Sequence, residues 1–421
     1  MKILWIVNII LPYPSAKLGK KPNVFGGWMN ALMNSLIQNN DVKLAVAATY
    51  NGNKMLKFSD GKIVYYLIPC KNNYKYDNKL EKFWKDVSND FLPDIVHLHG
   101  TEFAHGLSFL NACPNIKSVA SIQGLVSLYG ELYLLNISHK DIIHNISLRD
   151  IIRFDNMYQA SNKFLKRGEN EIKILRKVNK IIGRTSWDYS AVMALTEISK
   201  YCRCNESLRD TFYNKNWEYK KVEKNTIFVS QASYPIKGFH EIIKALPIIK
   251  KFYPDVKIYV AGQNIIDTSS IKNRLKLSGY GKYLIKLMKK YDVSKNIEFV
   301  GLLNEQQMVE KMLKCNVFVQ TSIIENSPNS LGEAMLLGMP IVASNVGGTS
   351  DMLIDKKEGY LYPYAEQSLL AKYIIDVFNK SEKAKEIGDN AKLHALKTHN
   401  RDKNAKNMIS IYRSLIDENK K

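Results

Sequence analysis

Apolar residues gather in short runs separated by mixed stretches whose apolar positions return every three or four residues. Residues 2–10 form the first run, and 42–48, 63–68, 95–98 and 118–122 repeat it. Between the first two, Met29, Leu32, Met33 and Leu36 fall at helical spacing, which predicts a helix over 29–38. Short continuous apolar runs fit strands buried on both faces. Their alternation with helices predicts parallel βα units in a three-layer sandwich.

Residues 129–179 carry no clear strand and end in a basic stretch. There Leu165, Ile172 and Leu175 share one helical face over 162–180, and Lys163, Lys166, Arg167, Lys173, Arg176, Lys177 and Lys180 occupy the rest. A short strand at 181–183 follows. A second series then starts: strands at 227–230, 256–260, 297–300, 317–320 and 341–344, with helices at 238–252, 282–291, 305–313 and 330–337. Two series predict two doubly wound domains, with a boundary in the polar stretch 217–224. Residues 381–421 are helical in composition, with Ile409, Tyr412 and Leu415 at helical spacing.

Composition changes this picture little. Of 421 residues, 45% are apolar and 24% charged, as in ordinary globular chains. A net charge of +21 favours anionic partners such as phosphates, nucleic acid or an anionic membrane face. Many of the lysines sit among Asn and Ile, so compositional bias explains the charge equally well. No basic motif interleaved with aromatics marks a nucleic-acid module. Five scattered cysteines argue for a reducing compartment, and Cys202-x-Cys204 is too isolated for zinc. No apolar run reaches the ~20 residues of a membrane span. Met1 to Leu11 lacks a small-x-small cleavage site and fits a buried first strand better than a signal peptide. These features predict a cytoplasmic protein, with peripheral contact to an anionic inner membrane face through the basic helix as an open alternative to a solvated helix.

The most specific chemical signal runs from Glu325 to Met335, Glu-Asn-Ser-Pro-Asn-Ser-Leu-Gly-Glu-Ala-Met. Pro328 suits a first helical turn and Ser327 an N-cap. A helix opening there offers free amides and a positive dipole end to a phosphate. Glu333, one turn inside, can accept hydrogen bonds from a ribose diol, and Glu325 on the loop can hold sugar hydroxyls. An ordinary capped helix with two solvated acids has the same spacing.

Together with Ala334-Met335-Leu336-Leu337-Gly338-Met339-Pro340-Ile341-Val342-Ala343 and Gly347-Gly348, this stretch resembles the signature of retaining glycosyltransferase family 4. The resemblance is strongest over 227–348. It implies an α/β chain of GT-B type, two Rossmann-like doubly wound domains facing a central cleft. Residues 1–220 would be the acceptor-side domain and 221–390 the nucleotide-sugar-binding domain, with 391–421 a C-terminal helix crossing back. It also implies transfer of a sugar from a nucleotide-diphosphate-sugar to an acceptor hydroxyl with retention, no obligatory metal and no cofactor. No Asp-x-Asp occurs in the chain.

By the same resemblance Glu333 binds the donor ribose and Glu325 the donor sugar. Asn326, Ser327, Asn329, Ser330 and Leu331 hold diphosphate and sugar hydroxyls through the loop and its amides. Lys237, in Lys237-Gly238 after a strand, neutralises the leaving diphosphate. The family often has Arg five positions earlier, where this chain has Gln231 and Ala232; Arg184 is one candidate substitute. Gln123 stands where many members carry His, which leaves sugar positioning but no proton transfer at neutral pH. Gly26-Gly27 matches a glycine loop near donor phosphates, and G-x-G-x-x-G is absent there. In Asp94-Ile-Val-His97-Leu-His99-Gly100, the two histidines share a strand face, and His99 lies at the strand's end on the acceptor side. His105 is nearby, but nothing else supports a metal.

Gly183-Arg184-Thr185-x-Trp187-Asp188, with 201–209 beyond it, resembles a bacterial capsule or surface-polysaccharide branch. That points to a glycan or lipid-linked acceptor and no nucleic acid. Two rival readings remain: a GT-B nucleotide-sugar epimerase, and a non-catalytic glycan- or lipid-binding module.

Overall fold

The continuous apolar runs become the inner strands of two sheets in the computed structural model, which describes residues 1–21 and 26–417. Its contacts divide the chain into two units. The first comprises 1–128, 164–209 and 398–421, and the second 129–163 and 210–397.

In the first unit, β1 (Lys2–Val7), β2 (Lys43–Tyr50), β3 (Leu56–Ser59), β4 (Ile63–Pro69), β5 (Ile95–His99), β6 (Ser118–Ser121), β7 (Lys180–Gly183) and β8 (Tyr201–Arg203) form one sheet. Its order is β3-β4-β2-β1-β5-β6-β7-β8. Among the described residues only the β3–β4 pair of this sheet is antiparallel. Apolar layers cover both faces. One is built on Ile3, Trp5 and Val7, the other on Leu4 and Ile6, as alternation along β1 requires. The helix Arg401–Asp417 adds Met408, Tyr412 and Leu415 to the first layer.

In the second unit, β9 (Thr226–Val229), β10 (Lys257–Ala261), β11 (Ile297–Gly301), β12 (Val317–Gln320), β13 (Ile341–Ser344) and β14 (Tyr360–Tyr362) run in the order β11-β10-β9-β12-β13-β14, all parallel. Phe228 and Phe318 face each other across β9 and β12, fully buried. Each such ring contributes about 2 kcal/mol through area removed from water. The helix Phe239–Lys250 packs with Gln367–Asn379 on one face.

Three differences from the sequence reading have local causes. The stretch 217–224 is no boundary: Trp217 donates from its indole to the Cys315 carbonyl at 2.8 Å and from its amide to Leu337 O at 2.7 Å. Thr211 Oγ1 likewise donates to Glu305 at 2.6 Å, so the chain joins the second unit from Asp210 onward. Residues 129–163 belong to the second unit too, where Asp150 accepts the Gly279 amide at 2.7 Å. The C-terminal segment is two helices, Ser381–Thr398 and Arg401–Asp417, and only the latter lies in the first unit. The basic helix runs Met157–Lys177; its Ile174 and Leu175 are core residues, which leaves the lysines outside.

Candidate functional site

The strand order of the second unit reverses between β9 and β12. In open α/β sheets ligands bind at such a switch point, beyond the carboxyl ends of the strands. The loop after β9 reaches Lys237 through the short turn Pro235–Lys237. The loop after β12 carries Glu325. Two hydrogen bonds tie the loops together: the Ile323 amide donates to Ile236 O at 2.8 Å, and the Thr321 hydroxyl donates to Lys237 O at 3.1 Å. Gly238 sits in the left-handed region at φ 63°, and a Cβ there would lie 1.7 Å from the Thr321 carbonyl oxygen. Only glycine meets both demands.

Lys237 Nζ and Glu325 Oε1 lie 2.6 Å apart. Ser322 Oγ donates to the same carboxylate oxygen at 2.6 Å. Burial pulls the Lys237 ammonium toward neutrality, but the Glu325 carboxylate outweighs it and holds the pKa well above the lysine range. Lys237 is therefore a fixed cation. On the far side, Gly348 N donates to the Glu325 carbonyl at 3.0 Å, and Gly347 packs against that same carbonyl. A cavity of about 40 Å³ opens between Ser230, Gln231, Lys237, Gln320, Glu325 and Ser330.

The helix Asn329–Leu337 starts beside this cavity. Pro328, not Ser327, is its N-cap, with extended backbone and no side-chain cap bond. The Leu331 amide donates to Pro328 O at 3.0 Å, so it is already committed and drops out as a phosphate donor. The Asn329 and Ser330 amides precede the first helical bond and stay at the open end of the dipole. Glu333 is buried on the first full turn, and Asn326 is buried in the loop.

The remaining predicted residues lie in the first unit. Gln123 Nε2 donates to Glu206 Oε1 at 2.7 Å, and Glu206 Oε2 pairs with Arg184 Nη1 at 2.7 Å. Arg184 Nη2 also donates to the Ile122 carbonyl. Its charge is matched by Glu206 inside its own unit, which removes the ground for treating it as an open cation for the donor; it orients Glu206, which in turn orients Gln123.

The two strand histidines divide their tasks. His97 is satisfied on both nitrogens, by Tyr412 at 2.6 Å and Ser121 at 2.7 Å. His99 stacks on His97 at 3.8 Å and meets Trp5 edge-on at 4.2 Å, and neither of its nitrogens has a hydrogen-bond partner among the described residues. Burial first, then His97 and Arg184, push its pKa well below the usual histidine value, so the ring is neutral. It pairs with Val7 beside the first unit's own switch point, between β1 and β5. Gly27 opens the helix Gly27–Leu36 behind Gly26 at φ 80°, with Arg209 packed over it. Among the described residues no group of three or more His, Cys, Asp or Glu could hold a metal ion.

Residues 212–394 match the family described as Glycosyl transferases group 1. Over 98% of this chain and 100% of the other, the structure superposes on Anabaena HepE in complex with UDP and glucose, with a TM-score of 0.68 and 15% identity. Sucrose-phosphate synthase from Thermosynechococcus elongatus gives 0.71 over 99% of both chains at 14% identity.

The chain has the GT-B fold.

Among curated proteins, spore coat protein SA of Bacillus subtilis strain 168 is 27% identical over 194 residues. That match covers 45% of this chain and 48% of the relative, about half of either. The segment that matches the group 1 glycosyltransferases holds Lys237, Glu325 and Glu333. The Arg position of the family pattern is filled without a cation: Gln231 donates to Ser233 Oγ at 2.9 Å, and Ala232 is a core residue of the GT-B second unit. Glu206 escaped the sequence reading because its partners Gln123 and Arg184 are 83 and 22 positions away.

Proposed function

We propose that this chain transfers a sugar from a nucleotide-diphosphate-sugar, a UDP-sugar foremost, to an acceptor hydroxyl with retention of anomeric configuration. The acceptor would be a glycan or a lipid-linked saccharide of surface polysaccharide or glycolipid synthesis. One observation carries the reading: Lys237 and Glu325 meet at the switch point beside an uncapped helix N-terminus.

In this reading the bond from the anomeric carbon to the acceptor oxygen forms as the bond to the diphosphate oxygen breaks. The diphosphate leaves with the electron pair, and the acceptor's proton ends on it. Lys237 and the amides of Asn329 and Ser330 face the charge that develops there. A preorganised donor of this kind contributes about 3 kcal/mol to the transition state. Glu325, with Asn326 and Ser327, binds sugar hydroxyls, and Glu333 binds the ribose. Gln123, held by Glu206, positions the sugar. Gly27 permits close backbone approach to the donor phosphates, and His99 offers an unpaired neutral ring to the acceptor hydroxyl. UDP as first choice is supported by the complexes of the HepE relative with UDP and with UDP-glucose.

The test is product analysis with a panel of labelled nucleotide sugars and a lipid-linked saccharide extract. Transfer gives a labelled glycan whose new linkage has the donor's anomeric configuration by proton NMR. A converted nucleotide sugar formed without acceptor would instead establish an epimerase, and an inverted linkage would remove retention.

A further inference from the structure

In the segment 139–154 of the second unit Ile142 joins the core, but the helix Leu148–Arg153 that follows turns its polar side inward. Ser147 caps the helix Leu148–Arg153 in a reciprocal capping box with Asp150. Asp150 is fully buried, accepts the Gly279 amide at 2.7 Å and pairs with Arg149 at 3.2 Å. The opposite stripe, Leu148, Ile151 and Ile152 at positions i, i+3 and i+4, points to solvent. Ile151 is 62% exposed, Ile152 69% and Phe154 72%, with Ile143 exposed beside them. A helix that buries its aspartate and exposes its isoleucines inverts the usual amphipathic order. Contiguous exposed apolar surface of this kind marks an interaction site.

Phe154 adds a second observation. It ends the helix in the left-handed region, φ 48°, which a bulky side chain rarely adopts. Backbone of this sort costs about 1 to 3 kcal/mol, and here it holds the Phe154 ring out in solvent beside the exposed isoleucines.

Cations surround the apolar tips. A cavity of about 670 Å³ lies between this segment and the loops after β9 and β10, with Arg149, Arg153 and Lys276 on its wall. Its other flank is the helix Ile271–Leu275, whose Ile271 and Leu275 are exposed next to Lys272 and Arg274. Three neighbouring acids are paired with cations, Asp141 with Lys286, Asp150 with Arg149, and Asp155 with Arg149 and Lys163, while Asp267 keeps its charge and accepts from the Asn273 side-chain amide against Arg153, Lys272, Arg274 and Lys276. Positive charge is left over at the rim.

We propose that this face docks the protein on an anionic membrane. Ile151, Ile152 and Phe154 enter the headgroup–acyl boundary, while Arg153, Lys272 and Lys276 meet anionic headgroups. Apolar tips ringed by cations suit a lipid interface, where both contribute to binding. The surface proposed is distinct from the basic helix Met157–Lys177, whose Ile174 and Leu175 are spent on the first unit's core.

The test is co-sedimentation of the full chain with phosphatidylcholine vesicles, with and without phosphatidylglycerol. Wild type should bind only the anionic vesicles. Ile152→Ser with Phe154→Ser should weaken that binding by about tenfold or more, and Lys166→Ala with Lys173→Ala on the basic helix should leave it within about twofold. Phe154→Gly gives a second readout: relief of the left-handed strain should raise the melting temperature while vesicle binding falls. The proposal is overturned if wild type ignores anionic vesicles, or if the double serine variant binds as wild type does. It is also overturned if that variant only dissolves a self-associated or protein-bound state without changing lipid binding.

Discussion

Replacing Lys237 by Met leaves the Glu325 carboxylate in a buried loop with Ser322 as its remaining side-chain donor. The pair lies at 2.6 Å, with side chains 20% and 10% exposed. At an effective dielectric near 20 its attraction is about 6 kcal/mol, before the loss of hydration on both groups is subtracted. Breaking one side of such a pair costs about 3 to 5 kcal/mol when fully buried. Partial exposure and the Ser322 hydrogen bond bring the figure to the lower end, about 3 kcal/mol. Glu325→Gln leaves a cation that water can still reach, so it should cost less, about 1 to 2 kcal/mol. In the double variant no charge is stranded, and the two effects should fail to add by about 2 kcal/mol. Urea unfolding of the four proteins measures the cycle, followed by a signal from the second unit such as Trp217. Additivity within about 0.5 kcal/mol would refute the coupling. The same Lys237→Met protein should bind UDP about tenfold or more weakly, since a charge-assisted contact to the diphosphate is lost.

Two further outcomes follow from single buried groups. Gly238→Ala places a methyl group against the Thr321 carbonyl and forces a left-handed alanine, so it should destabilise the second unit by more than about 3 kcal/mol; an unchanged melting temperature would show that the two loops are not clamped. Glu171 is raised to about 7, first by burial and then by Glu102, against hydrogen bonds from Ser127 and Thr101 that lower it. The folded state then holds a proton that the unfolded state releases between about pH 4.5 and 7, so stability falls as pH rises through that window, by about 3 kcal/mol in all. Glu171→Gln should flatten that slope in melting curves taken at pH 5 and pH 7.5, and an unaltered slope would assign the pH dependence elsewhere.

How much of this was legible in the sequence depends on the range of the interactions. Strands β9, β12 and β13 are continuous apolar runs buried on both faces, and their burial writes them into the sequence directly. Edge strands β8 and β14 are three residues each and carry polar or aromatic residues that local pattern does not separate from loops. Lys237 and Glu325 were visible as motif residues; that they share a 2.6 Å contact across 88 positions was not. The cap falls on Pro328 rather than Ser327, and a proline there carries no side-chain cap bond that the serine pattern would have announced. Arg184 was legible as a cation but its neutralising partner Glu206 was not, since no spacing rule links them. The assignment of 129–163 to the second unit rests on contacts such as Asp150 to Gly279, made across 129 residues.

The central claim is that the second unit binds a nucleotide sugar through Glu333 and the switch-point pair. A thermal-shift series with UDP, GDP, ADP and CMP and their common sugars, on wild type and Glu333→Ala, tests it most directly. A ligand at a hundred times its dissociation constant stabilises the folded protein by about 2.7 kcal/mol. One nucleotide family, with UDP the first choice, should raise the wild-type melting temperature by several degrees and leave folded Glu333→Ala unmoved. A wild type that responds to none of them, or a variant stabilised as much as wild type, would contradict it.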